Sequence, residues 1–167
     1  MSIGVEGIRE RMRDYLAGQG VNAVTAWPSE PRRETDRPVV VVSLRECREE
    51  PAGFQNYLGE RYDREKGLWE ECYGKKAVIT FGLDLYAPAR EDGRSLQTAL
   101  DGLLEALTGD GPAGLAVQEV VCGETEYDRA ARLQVQKVRA VCMACLYAVE
   151  RPGEGFLDFE LRGGVQK

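Results

Sequence analysis

The sequence predicts an α+β fold: a mostly antiparallel sheet with two packed helices and a long projecting β-hairpin. Three observations carry that expectation. Two segments repeat apolar residues every third or fourth position, the mark of amphipathic helices. Between and after them run β-branched or alternating stretches, the mark of strands. One of those stretches, taken with the aromatic segment before it, is too long to lie straight inside a body of this size.

Taken in order, Ile3 to Ala17 reads as the first helix, with Val5, Ile8, Met12, Tyr15 and Leu16 on one side and Gly18 and Gly20 as the stop. Val21 to Trp27 follows as a short strand. The loop from Pro28 to Arg37 mixes charges, including Arg32, Arg33 and Arg37, and reads as solvated surface. The β-branched run from Pro38 to Leu44 predicts a strand central to the sheet or covered on both faces. Arg45 to Gly53, with Glu49, Glu50 and Pro51, reads as a charged connection.

The hairpin spans residues 54–88. Its aromatic arms are joined by Asp63-Arg64-Glu65-Lys66-Gly67, where the glycine suits a left-handed position. Leu68 to Ala87 covers about 20 residues, or roughly 65 Å when extended. A compact domain of this length is only about 40 Å across. The arm therefore either bends, at Tyr73-Gly74, or projects, and projection is the expectation. Within the sheet portion, Ala77, Ile79, Phe81, Leu83 and Leu85 should face the core. Val78, Thr80, Gly82, Asp84 and Tyr86 should face solvent or a neighbouring subunit.

After Pro88, Asp92 or Ser95 can cap a helix that runs to about Leu107. Its stripe is Leu96, Ala99, Leu100, Leu103, Leu104 and Leu107. Leu115 to Cys122 is the next strand, Gly123 to Arg129 an acidic turn, and Ala130 to Val149 a long strand. The apolar patch of Phe156, Leu157, Phe159 and Leu161 is either an edge strand on its own sheet or one lent to another chain. The organisation is thus one domain over residues 1–150 and a C-terminal extension over 151–167.

Composition narrows the function classes. The 167 residues carry 22 basic and 28 acidic side chains, a net charge of −6, which argues against a general nucleic-acid clamp. No apolar run approaches a membrane span, and the first residues lack a signal-peptide pattern, so a cytoplasmic product with no membrane partner is expected. The chain contains no histidine, which removes Ser-His-Asp and Cys-His catalysis and every histidine metal site. Five cysteines, an odd count, read as reduced thiols.

Cys142 and Cys145 have redox or metal spacing, but on a strand positions three apart point to opposite faces. Core cysteines are the expectation, with a small thiol or metal protein as the alternative of another class. The acidic pairs Glu49-Glu50 and Glu70-Glu71 and the group Glu124, Glu126 and Asp128 diverge on strands or sit in turns. No catalytic residue, metal or cofactor is therefore assigned. Tyr57, Arg61, Tyr62, Trp69 and Tyr73, joined by Phe156 and Phe159 from the extension, are assigned as a subunit interface, since interfaces favour Tyr, Trp and Arg. A stacking surface for single-stranded nucleic acid fits less well, because Glu60, Asp63, Glu65, Glu70 and Glu71 lie among the aromatics.

Three motifs carry a family resemblance. They are Asn56-Tyr57-Leu58-Gly59-Glu60-Arg61-Tyr62, then Gly67-Leu68-Trp69-Glu70-Glu71-Cys72-Tyr73-Gly74-Lys75, then Thr80-Phe81-Gly82-Leu83-Asp84-Leu85-Tyr86-Ala87-Pro88. Together with the order of elements over Ile3 to Val149, they resemble the bacteriophage tail terminator (tail completion or cap) proteins, including those of phage-tail-like particles. The resemblance implies a non-enzymatic structural protein of the virion tail. It would form a homo-oligomeric ring, commonly a hexamer, that caps the tail tube protein and meets the neck, connector or sheath. DNA would only pass through its acidic lumen, and the hairpin and C-terminal tail would bridge subunits. A head–tail connector or baseplate component is the alternative within that class.

Overall fold

The computed structural model describes residues 5–26, 37–51, 57–89, 94–149 and 159–162. The element order is α1 (Val5–Gly18), β1 (Ala23–Val24), β2 (Val39–Pro51), β3 (Tyr57–Asp63), β4 (Leu68–Pro88), α2 (Arg94–Thr108), β5 (Ala116–Asp128), β6 (Leu133–Val149) and β7 (Phe159–Arg162). All seven strands form one sheet, antiparallel except where β1 pairs with β2. This is the α+β architecture expected of the sequence.

Helix α1 forms because Ile8, Met12 and Leu16 recur on one side, and all three are buried. It stops at a Schellman motif. Val21 N–H donates to the Leu16 carbonyl at 2.9 Å and Gly20 N–H to that of Ala17 at 3.1 Å, with Gly20 at φ +83°. The strand expected over Val21 to Trp27 shrinks to Ala23–Val24, and Trp27 lies outside the described residues.

Strands β4 and β6 are the spine. They pair antiparallel from Cys72 opposite Val149 to Pro88 opposite Leu133 without a register shift. Each carries an interrupted outer row. On the outer side of β4, β2 pairs from Tyr86 down to Lys75, and β3 then continues from Tyr73 to Leu68. On the outer side of β6, β5 pairs from Leu133 to Met143, and β7 continues from Cys145 to Ala148. The hairpin is therefore the far end of one ribbon that begins at Val39. Strand β4 is continuous through Tyr73-Gly74 to Leu68, with a bulge in β3 opposite, between Tyr57 and Gly59.

Two sequence expectations are corrected here. Arg45 to Pro51 is strand, not connection; a bulge between Leu44 and Glu46 shifts the register, and Glu46 to Pro51 then pair with Thr80 to Lys75. Gly123 to Asp128 is likewise strand, resumed after a bulge between Cys122 and Thr125. Both are outer strands largely exposed to solvent, so charged side chains cost little and the backbone ladder decides. The β5 bulge is held from the core side. The Gln136 amide is buried, donates to the Gly123 and Lys137 carbonyls and accepts from Thr125 Oγ1 at 2.6 Å.

Both helices cover one face of the sheet. As expected, Ala77, Ile79, Phe81, Leu83 and Leu85 lie there fully buried, against Val40, Val42, Val138, Ala140, Cys142 and Ala144. Leu96, Leu103 and Leu107 of α2 complete the core, and Tyr15 Oη donates to the Ala106 carbonyl at 2.7 Å, tying α1 to α2. Ser95 lies inside the first turn of α2 rather than ahead of it, and Asp92 falls outside the described residues. The opposite face carries Val78, Thr80, Asp84 and Tyr86, half-buried, and cross-strand ion pairs. Arg45 reaches Asp84 at 2.8 Å and Lys137 reaches Glu126 at 3.0 Å. No described helix is long and apolar enough to cross a membrane.

Candidate functional site

Cys72, on the other face of β4, is fully buried, but the core cluster packed against the helices ends on β4, toward the hairpin, at Ala77. Nine residues of β4 lie beyond it, an overhang of about 30 Å. At the end of that overhang the turn is closed from within. Asp63 Oδ1 accepts from the backbone N–H groups of Glu65 (2.9 Å) and Lys66 (3.2 Å), and Gly67 N–H donates to the Asp63 carbonyl at 2.8 Å. Gly67 sits at φ +66°, the left-handed position anticipated for it. The Lys66 N–H, followed by that of Glu65, holds the Asp63 carboxyl below its ordinary range.

Strand alternation splits the tip into two unlike faces. One continues the helix-covered side of the sheet and carries Tyr57 opposite Tyr73, Glu60 opposite Glu71, and Tyr62 opposite Trp69. The Tyr57 and Tyr73 rings are 5.6 Å apart and edge-on; those of Tyr62 and Trp69 are 5.4 Å apart and tilted. Neither described helix lies above them. Tyr57 is 44% exposed, Tyr62 50% and Trp69 66%, and Leu68 beside them is 52% exposed. These four stand among only six large apolar side chains exposed across the described residues, the others being Val121 and Tyr127 on β5.

The second face is ionic. Glu70, 8% exposed, accepts from Lys66 Nζ at 2.9 Å and from Arg61 Nε at 3.2 Å. The Lys66 hydrogen bond, with Arg61 behind it, holds the Glu70 carboxyl below its usual range against the opposing pull of desolvation. The structure thus brings together four of the residues assigned to an interface, Tyr57, Tyr62, Trp69 and Tyr73, on one surface. Arg61 stands on the reverse side, where it steadies Glu70. Phe159 pairs through its backbone with Ala148, so the C-terminal segment adds a strand to its own sheet, and Phe156 lies outside the described residues. Leu68 is an apolar tip residue that the sequence assignment did not include.

Between the aromatic pairs sits an unbalanced element. Glu60 and Glu71 face each other directly across the strands, an unfavourable like-charge pairing. The Tyr73 hydroxyl donates to Glu71 at 2.6 Å, but among the described residues no cation pairs with either carboxylate. The Tyr57 phenol registers its surroundings: partial desolvation, then the nearby Glu60 and Glu71, push its pKa up.

The thiols do not converge. Cys142 lies opposite Ile79 in the core, its pKa pushed up to about 12 by burial, while Cys145 lies opposite Lys76 on the other face. Among the described residues no three His, Cys, Asp or Glu side chains gather where a metal ion could be held. A separate cavity of about 620 Å³ opens at the far end of the sheet, between the start of β2, the end of β4 and the first half of α2.

No protein-family model matches this chain, and neither does any curated protein. Among solved structures it is similar to the PVC sheath/tube terminator of an extracellular contractile injection system in its extended state, determined by cryo-electron microscopy. The identity is 12% and the TM-score 0.42, over 100% of this chain and 65% of that one, so this chain spans slightly under two thirds of that protein's length. A likeness of that size is too slight to argue function from.

Proposed function

We propose that this protein is a non-enzymatic structural subunit of a phage-type tail, assembling into a closed ring that caps the tail tube and joins it to the neck or sheath. One observation carries the reading: an overhang whose outer end presents Tyr57, Tyr62 and Trp69 to solvent on the same side as the core. Aromatic groups so displayed are the anchors that protein interfaces favour. An isolated subunit gains nothing by holding them about 30 Å beyond its helices.

Sheet edges point the same way. Among the described residues, β3 and β5 have no outer partner, and β2 has only the two residues of β1. Contacts between unlike surfaces, repeated around a rotation axis, bury such features and close on themselves. The tail setting, the hexamer, the tube and neck partners and DNA passing through the lumen come from the sequence resemblance and belong to the proposal. Native mass spectrometry of the purified full chain, with and without tail tubes, tests it. A closed oligomer that binds tube ends is expected, and a strict monomer indifferent to tubes would overturn the reading.

A further inference from the structure

We infer that the arm tip of one copy docks on the β5–β6 turn of the next copy, where Arg129 and Arg132 meet the tip's aromatic rings and its two carboxylates. This rests on the assembly reading above and specifies its contact. The tip has an unmet demand for positive charge. Glu60 and Glu71 lie opposite each other between the Tyr57–Tyr73 and Tyr62–Trp69 pairs, and among the described residues neither has a cationic partner. Lys75, the only cation on that side of β4, is turned to Glu49 at 3.7 Å. Exposed aromatic faces beside two carboxylates suit a guanidinium, which stacks on the rings and donates to the acids.

The opposite end of the sheet supplies that charge. Arg129 and Arg132 stand in the turn after β5; both are exposed, and among the described residues neither guanidinium makes an ion pair or hydrogen bond. The two acids nearest in sequence are already engaged, Glu126 by Lys137 at 3.0 Å and Asp128 by the N–H groups of Ala130 and Ala131. Tyr127, 55% exposed, lies opposite Gln134 and so on the helix-covered side, the side on which the tip aromatics stand. Arg132 holds φ +51°, where a glycine would sit without strain, so what arginine adds at that position is its side chain.

Position excludes an internal contact. Leu68 and Pro88, the two ends of β4, adjoin the two turns and lie about 65 Å apart along one unbroken strand. The tip therefore reaches this turn only in another copy. Both surfaces belong to the same chain, so their numbers match in any assembly. A contact between opposite ends is head-to-tail, and repeats of it close into a ring or continue as a fibre.

The test uses the purified full chain, with and without tail tubes, carrying a photoreactive benzophenone amino acid in place of Trp69, followed by peptide mapping of the adducts. Cross-links to residues 127–132 of another copy are expected. Charge reversal tests the pairing independently. A tip variant with Glu60→Lys and Glu71→Lys and a turn variant with Arg129→Glu and Arg132→Glu should each self-associate about tenfold or more weakly. Mixing the two should recover oligomers that contain both, because each then meets the opposite charge. Failure to recover, with both variants melting near the parent's temperature, would overturn the pairing. Arg132→Gly keeps the turn and removes one side chain, so self-association should weaken while the melting temperature holds or rises. Unchanged association would overturn the part given to Arg132. Cross-links to another region of a second copy, with oligomers intact, would overturn this contact and leave the ring proposal standing. An adduct with the tube protein instead would overturn the choice of occupant. A monomer yielding no intermolecular adduct at any concentration would overturn both.

Discussion

Replacing Trp69 with alanine separates the two roles its position allows. A tryptophan side chain buries on the order of 200 Å² when fully covered. Trp69 is 66% exposed in the subunit, so roughly 130 Å² remains for a partner to cover. At about 25 cal/mol per Å² that area is worth ~3 kcal/mol, or roughly 150-fold in the dissociation constant of each contact. Within the subunit the indole loses chiefly its contact with the Tyr62 ring, worth about 1 kcal/mol, a change of only a few degrees in melting temperature. Sedimentation equilibrium and thermal melting of the same variant, the latter at dilutions where the parent is monomeric, measure the two terms separately. A large fall in melting temperature would mean that the indole belongs to the subunit's own packing. Unchanged association would mean that nothing covers it in the assembly, and either result refutes the reasoning.

Acid should loosen the tip before the body. Glu70 and Asp63 titrate below their ordinary range in the folded arm, so their support is complete above the usual carboxylate values near ~4 and is lost as pH falls through the lowered ones. The indole NMR signal of Trp69 should move toward its random-coil position below that range while core signals of β4 and β6 hold. Glu70→Gln should speed amide exchange in residues 57–72 at neutral pH without altering exchange around Phe81, and uniform acceleration would contradict the local role assigned to the Lys66 and Arg61 contacts. Gln136→Leu should cost about 2 kcal/mol, since it leaves the Gly123 carbonyl without its buried donor, and exchange should rise first in residues 123–128. Gly67→Ala should destabilise by about 1–2 kcal/mol, whereas Arg132→Gly should be neutral or stabilising by up to ~1 kcal/mol, both read from denaturant midpoints.

Legibility in the sequence tracked burial. The alternation from Ala77 to Leu85 and the stripe of α2 were readable because one face of each is packed and the other is not, which leaves little choice of residue. Gly67 was readable because only its backbone conformation mattered. Arg45 to Pro51 and Gly123 to Asp128 were not, since strands solvated on the outside carry no alternation to read. At the tip the sequence yielded the aromatic cluster but not its division into faces. Pairing Tyr62 with Trp69 across the turn would have put Arg61 with Glu70 on the reverse side. The cavity had no sequence signal, because segments around Val40, Leu85 and Ala99 meet only in the fold.

The two tight hairpins of the sheet use one device with different final residues, and the difference marks which end of the molecule is anchored. Asp63 and Asp128 each end a strand and each accept from two backbone N–H groups of a four-residue turn, Glu65 and Lys66 in one, Ala130 and Ala131 in the other. Each turn closes on a left-handed residue, Gly67 at φ +66° and Arg132 at φ +51°. A non-glycine residue there costs about 1–2 kcal/mol and persists only where its surroundings over-determine it. At Arg132 they do: Ala89 N–H donates to its carbonyl at 3.1 Å, and Ala131 and Leu133 on either side are buried. At the tip the only described neighbour within 4 Å of a Cβ on Gly67 would be the Tyr62 hydroxyl at 3.8 Å, so no packing comparable to that around Arg132 is described there. Glycine is therefore what lets the far end of the arm keep its shape alone, before any partner covers Trp69 and Tyr62. An arm ordered in advance loses less conformational freedom on docking, so its exposed aromatics contribute more fully to association.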